Sequence, residues 1–229
     1  MPGGYFGRIE TRIAVPLALA LMAGGCQTKT SVPAGVTASV EVAAPLKADV
    51  WKNVATAADE DRIGRMGLAW QEALAEANRV AAADIRREGV LLRPRSSLPR
   101  PAPTPGSYNC RLIKLGRVAA RGPAFERFKP FFCYVEVEGD LLTIVKQTGS
   151  QRPAGRLWED DDGNRLIFLG SLALGEEDTP RAYGDDPKRD MAGVLERIEP
   201  FRWRLVIPWP QSTSKLDVFE LTPVAIQPK

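Results

Sequence analysis

Residues 146–175 read KQTGSQRPAGRLWEDDDGNRLIFLGSLALG, two extended segments on either side of an acidic turn. Asp160 to Asn164 supply the turn, with Asp162-Gly163 as its hairpin signal. Arg165 to Leu174 then form the most sustained strand pattern in the chain. Leu166, Phe168, Leu172 and Leu174 share one face, while Ile167 and Leu169 make the other face apolar as well. A strand apolar on both faces must be covered on both. One face is expected to line the inside of a sheet or barrel, and the other to lie under a helical segment.

Working outward, the β half is predicted to contain eight strands: Tyr108–Leu115, Phe131–Val137, Leu141–Lys146, Gly155–Trp158, Arg165–Leu174, Met191–Ile198, Arg202–Ile207 and Lys215–Leu221. Glu138-Gly139-Asp140 and Glu199-Pro200 are tight reversals. The expected fold is α+β: an N-terminal helical segment packed on a mainly antiparallel, eight-stranded barrel or strongly curved meander, with a two-sheet sandwich as the alternative. A barrel of this strand number can fill its interior with side chains or hold one small ligand.

Ahead of the strands, Trp51 to Glu88 carries the helical pattern, with Ile63, Met66, Trp70, Leu74, Ala77 and Val80 at helical spacing and Thr56 or Asp59 as cap. Its length leaves open one helix or two with a break near Asn78. The stripe is expected to pack on the sheet face bearing Ile167 and Leu169. Residues 92–106 hold prolines at 94, 99, 101, 103 and 105 and read as a stiff extended strap, or else as a recognition segment.

The first 25 residues have Arg8 and Arg12, an apolar run from Ile13 to Met22, then Ala23-Gly24-Gly25 before Cys26. The apolar run is too short to span a bilayer, and the pattern suits a signal peptide cleaved before a lipidated cysteine. Ala23 in a position that usually carries Leu, together with Glu10 and Pro16, keeps plain secretion as the alternative. Lipid on Cys26 would make the membrane a partner. Gln27 after it points to the periplasmic face of a bacterial outer membrane. The domain division is then 1–25 signal peptide, 26–48 flexible tether, 49–91 helical segment, 92–106 strap and 107–223 barrel. In an oxidising compartment Cys110 and Cys133, the two remaining cysteines, are expected to form a disulfide.

The composition excludes several chemistries. With no histidine among 229 residues, Ser-His-Asp and Cys-His catalysis and histidine-ligated metals are removed together. A formal charge of +3 without a dense Lys/Arg block argues against nucleic-acid binding. Asp160, Asp162 and Asn164 have the spacing that opens a calcium loop, but Arg165 replaces the turn glycine and the closing Glu is missing, so the acids read as a solvated turn. Ser212 to Lys215 matches a serine-x-x-lysine pattern on the wrong side of its companion strand. No cofactor, metal or catalytic residue is implied.

The chain also resembles a bacterial lipoprotein family known as domain of unknown function 4893. The matching residues are Gly106 to Arg111 with Ile113 to Gly116, Lys146 to Pro153 with Gly155-Arg156, then Tyr183-Gly184, Asp186-Pro187, Arg189 to Gly193 and Arg202 to Arg204. The resemblance covers about residues 50–222 and implies a periplasmic or membrane-attached protein, with no catalytic residue to carry over. The barrel part is loosely similar to lipocalin-type barrels in architecture alone.

What remains is a polar cluster: Lys114, Lys146, Arg152, Arg156, Tyr183, Arg189 and Asp190. Gathered at one barrel end, these would make a ligand mouth for a small anion, because Arg offers a two-pronged donor to carboxylate or phosphate. The plainer reading is that Asp190 pairs with Arg152 or Arg156 to pin loops, while Lys114 and Lys146 point outward. The function expected is a non-catalytic, lipid-anchored envelope protein binding a small ligand or a protein partner. The alternative is a cell-envelope hydrolase or transferase using carboxylates such as Asp190 and Glu196.

Overall fold

A computed structural model of the chain describes residues 46–119, 122–175, 177, 180–210 and 214–225. The expected signal peptide, Cys26 and nearly all of the tether lie outside the described residues.

Among the described residues, nine strands follow three helices: β1 (Gly106–Leu115), β2 (Phe125–Arg127), β3 (Phe131–Glu138), β4 (Leu141–Lys146), β5 (Gln151–Glu159), β6 (Arg165–Leu174), β7 (Asp190–Glu199), β8 (Arg202–Pro208) and β9 (Leu216–Pro223). All pairings are antiparallel. β1 and β3 to β9 run in sequence order, and β9 returns to pair with β1, closing an eight-stranded up-and-down barrel. β2 is an added ninth strand, three residues long and too short to show a period. It sits on β1 beyond the point where β3 leaves it, because β3 pairs with Gly106 to Cys110 and β2 with Ile113 to Leu115. β5 starts at Gln151, four residues before the predicted Gly155, and Pro153 pairs with Leu172 inside the ladder.

Alternation then assigns every side chain to a face. Tyr108, Cys110, Leu112, Cys133, Leu157, Phe168, Leu195, Trp203, Leu205 and Phe219 pack inside. Phe168 is fully buried, and its ring lies where side chains at Gly155 and Gly170 would have to go: an added Cβ on either would come within 2.7 Å of it. Glycine at these paired positions therefore lets one aromatic ring plug the lumen. Such a ring contributes roughly 1.5–3 kcal/mol by burial. Cys110 and Cys133 are joined by the expected disulfide, Cα to Cα 6.0 Å apart. It staples β1 to β3 at Cys110, the last residue of their ladder.

The helices are α1 (Lys47–Lys52), α2 (Ala57–Gly64) and α3 (Met66–Glu88), with a 3-10 turn over Gly89–Leu92. Thr56 caps α2, its hydroxyl accepting from the Asp59 amide at 3.2 Å. The helical region divides at Arg65, between α2 and α3, and α3 is itself interrupted by non-helical backbone at Ala81, three residues beyond Asn78. Its apolar stripe also divides. Ile63 and Met66 reach Ile167 and Leu169 as expected, with Trp51 of α1 beside them. Trp70, Leu74 and Ala77 instead cover the outer faces of β1, β8 and β9 at Ile113, Leu115, Val206 and Val218. Val80 faces solvent. The helical region is interrupted at Arg65, and its one stripe meets two sets of strands.

The strap seals one barrel end. Tyr108 Oη donates to Thr104 O at 2.6 Å and Trp203 Nε1 to Pro101 O at 2.9 Å, with the two rings edge to face. The acidic turn is not simply solvated. Asp160 is buried and accepts from Trp51 Nε1 at 3.0 Å and from Arg165 Nε at 2.6 Å, docking α1 on the hairpin.

Candidate functional site

The end opposite the strap, where β4, β6 and β8 finish and β5, β7 and β9 begin, holds the candidate site. The β4 ladder positions Leu142, Ile144 and Lys146 toward the lumen, and β1 does the same for Leu112 and Lys114. Both lysines therefore point inward, not outward. A pocket of about 60 Å³ opens here. Leu112, Pro153, Leu172, Met191 and Phe219 form apolar walls, while Lys114, Lys146 and Asp217 supply charge. Below it, between Phe131, Ile144, Phe168 and Leu205, only about 10 Å³ remains, at most a single water. The barrel is filled except at its mouth.

The two lysines differ in their partners. Lys114 Nζ is 2.9 Å from Asp217 Oδ2 and 3.5 Å from Ser214 Oγ, and Ser214 also donates to Asp217. Burial pushes the Asp217 carboxyl above the usual carboxylate range, with Lys114 opposing it. Lys146 Nζ donates to the Gln151 carbonyl at 2.8 Å and lies 4.4 Å from the Phe131 ring centre. Among the described residues it has no carboxylate partner. Burial lowers its pKa, and the nearby positive charges of Arg152 and Lys114 lower it further. A half-buried ammonium beside other cations is a ready acceptor of an anion.

The other residues expected at the mouth are only partly gathered there. Arg189 reaches the rim but is occupied by Glu177 at 2.6 Å and Asp186 at 3.5 Å. Arg152 points outward and binds loop carbonyls, including Gly149 O at 3.0 Å. It pins loops as the plainer reading supposed, but not through Asp190. Arg156 lies on the outer face, paired with Glu138 at 2.7 Å and well away from the mouth. The physical reason is parity: 152, 154 and 156 alternate with the inward 153, 155 and 157.

Asp190 lines the rim of the pocket beside Met191, but its carboxylate turns to the outside of the barrel, where it joins Tyr183 in a cluster against α2. Asp190 shares the outward parity of Ala192 and Val194, and its Oδ1 accepts from Gly184 N at 3.0 Å. Its Oδ2 is buried without a hydrogen-bond partner. Burial raises its pKa, and the charges of Asp59 and Asp186 add to the rise. Tyr183 Oη donates to Asp59 and accepts from Thr56 N at 3.0 Å; burial and the Asp59 carboxylate push its pKa up to about 12. Glu196, six residues along β7 from Asp190 and so about 20 Å away, pairs with Arg204 at 2.7 Å.

Two features of the structure were absent from the sequence reading. Asp217 and Ser214 join Lys114 inside the barrel, and the signal was available in the alternation of Asp217, Phe219 and Leu221. Arg204 is fully buried under α3, donating to Glu196 and to the carbonyls of Leu91 at 2.9 Å and Arg93 at 2.8 Å. An arginine between tryptophan and leucine in a strand carries no sign that its face is covered.

No curated protein and no solved structure matches the chain. A family model described as a domain of unknown function, DUF4893, matches residues 51–221, from Trp51 of α1 to Leu221 of β9. That span takes in the helices, the strap and the whole closed barrel, and the chain belongs to this family.

Proposed function

We propose that the protein is a non-catalytic, lipid-anchored component of the bacterial cell envelope that binds a small anionic ligand in the mouth of its barrel. The observation that carries the reading is Lys146. It is an inward-facing, half-buried ammonium with a carbonyl and an aromatic ring as its neighbours and, among the described residues, no carboxylate partner, on the wall of a pocket that is part apolar and part charged. Lys114 next to it is already neutralised by Asp217. An anion would restore the charge balance at Lys146, whose ammonium is half-buried and only partly screened by water.

Thermal melts in a panel of small anions test this. Stabilisation is expected in the wild type, reduced in Lys146→Met and retained in Arg156→Gln, whose guanidinium lies on the outer face. Equal responses in all three would overturn it. Cys26, in the segment with the signal-peptide pattern, supports the anchor; labelled palmitate should enter the wild type and not Cys26→Ala, and an unlabelled wild type removes that part.

Binding of a protein partner is favoured by a different observation, a groove of about 490 Å³ on the outer face where Arg156, Trp158 and exposed Val137 lie together. Crosslinking in intact cells that repeatedly captures one protein through this face, with no anion response at the mouth, would select that reading.

A further inference from the structure

Size, charge and wall chemistry together narrow the ligand of the mouth. We infer that it is a short-chain monocarboxylate, of acetate to butyrate size, bound with its carboxylate on Lys146 and its alkyl end against Leu172, Met191 and Phe219. This rests on the anion-binding reading above.

Size is set by the lumen. About 60 Å³ holds about four to six waters at 10–15 Å³ each. The void beneath, about 10 Å³, is closed off by Phe168 and Leu205, so an alkyl chain has no route deeper. Long acyl chains do not fit.

Charge is set by the partners already present. Lys146 has donor capacity to spare after Gln151, whereas Lys114 and Arg189 are each held by acids. Of the lining acids, Asp217 is taken up by Lys114, and Asp190 stands at the rim, where it disfavours added negative charge. Lys188, on the exposed rim, is the other lining cation without a carboxylate partner among the described residues. Lys146 is thus the inward-facing cation available to one negative charge, and Lys188 reaches the pocket only from the rim.

Wall chemistry separates carboxylate from inorganic anion. A phosphate or sulfate needs donors around all of its oxygens, and the walls at Leu112, Pro153, Leu172, Met191 and Phe219 offer none from their side chains. A carboxylate concentrates its acceptors at one end and presents hydrocarbon at the other, as the pocket does in reverse.

Amide chemical-shift titrations of the purified protein with propionate, inorganic phosphate and octanoate provide the test. Propionate should bind with a dissociation constant on the order of 1 mM, shifting the amides of Lys146, Gln151 and Met191. Lys146→Met should weaken it roughly tenfold or more, about the worth of one charge-assisted hydrogen bond, and Lys146→Arg should restore part of the loss. The Arg variant keeps the test meaningful if the Met variant does not fold. Phosphate binding at least as tightly as propionate would overturn the ligand class while leaving the mouth an anion site. Octanoate binding more tightly than propionate would overturn the size limit. If no anion shifts those amides, this inference and the function it rests on fall together.

Discussion

The two ends of the barrel treat a cation in opposite ways. Toward the strap side, Arg204 is held by Glu196, by carbonyls of the turn that ends the helical segment, and by the Trp70 ring at 4.9 Å. Burial lowers its pKa and Glu196 works against that fall. At the mouth, Lys146 has a carbonyl and a ring, with no acid. The first arrangement uses the charge to fasten one part of the chain to another, and the second leaves the charge available. Arg204 Nη2 is buried without a hydrogen-bond partner, but the charge of the side chain is matched by Glu196. A cation paired with an acid of its own chain is a structural fastener, and one without such an acid is a candidate binding group.

The largest effect that could break this contrast comes from Arg204. Arg204→Met leaves Glu196 and the carbonyls of Leu91 and Arg93 without their donor, which should cost about 3–5 kcal/mol. Urea denaturation measures it, and the Trp70 environment should become more exposed. Anion binding at the mouth should survive in whatever fraction stays folded. A loss below about 1 kcal/mol would mean that Arg204 fastens nothing.

Next in size is the disulfide. Removing it in Cys110→Ala/Cys133→Ala should cost about 3 kcal/mol on the loop-entropy model, for a separation of 23 residues. Its position gives the change a local signature. The β1–β3 ladder stops at Cys110, and Cys133 lies opposite Lys146 in the β3–β4 register. Anion affinity should therefore fall along with stability, unlike in the Arg204 variant. Unchanged affinity in the unbridged protein would separate the staple from the mouth.

How far this contrast could be read from residues alone depended on alternation. Arg165 to Leu174 was legible as a two-sided strand because Leu166 and Phe168 interleave with Ile167 and Leu169, and it demanded both a lumen and a covering helix. The cysteine pair and the Thr56 cap were legible for equally local reasons. β4 was not: Leu141 to Val145 is apolar on both faces apart from Thr143, so nothing in it says which way Lys146 points. Only barrel closure settles the parity, and with it the mouth. Pro153 concealed the start of β5, since a proline normally argues against a paired strand. Arg152 and Arg156, which look like partners of Lys146 in sequence, consequently fell on the other face.

Asp190 sharpens the comparison from the acidic side, being a buried carboxylate that its surroundings do not fully satisfy. Its folded pKa is raised, so the folded state holds the proton up to a higher pH than the unfolded chain does. Stability should fall as pH climbs from about 4 to the folded value, and stay reduced above it. Asp190→Asn removes the charge and keeps the acceptor for Gly184, so it should raise the melting temperature by a few degrees at neutral pH. The gain should vanish near pH 4. A loss of stability at neutral pH would show that the ionised carboxylate is satisfied by a partner and stabilises the fold.

The smallest effect is at Lys146 and has the most direct bearing on function. Its folded pKa is lowered, so in the window between that value and about 10.4 the unfolded chain binds the extra proton, and stability should rise with pH there. At neutral pH the whole penalty is present. Lys146→Met, which substitutes an uncharged chain of similar length, should therefore stabilise the anion-free protein by about 0.5 kcal/mol and abolish the alkaline gain. With propionate saturating the wild type, the order should reverse, because the ligand stabilises only the chain that binds it. A residue whose removal strengthens the empty fold and weakens the occupied one is retained for binding, whereas Arg204 is retained for the fold itself. If Lys146→Met were destabilising with and without propionate, Lys146 would be a fastener too, and the two barrel ends would no longer differ.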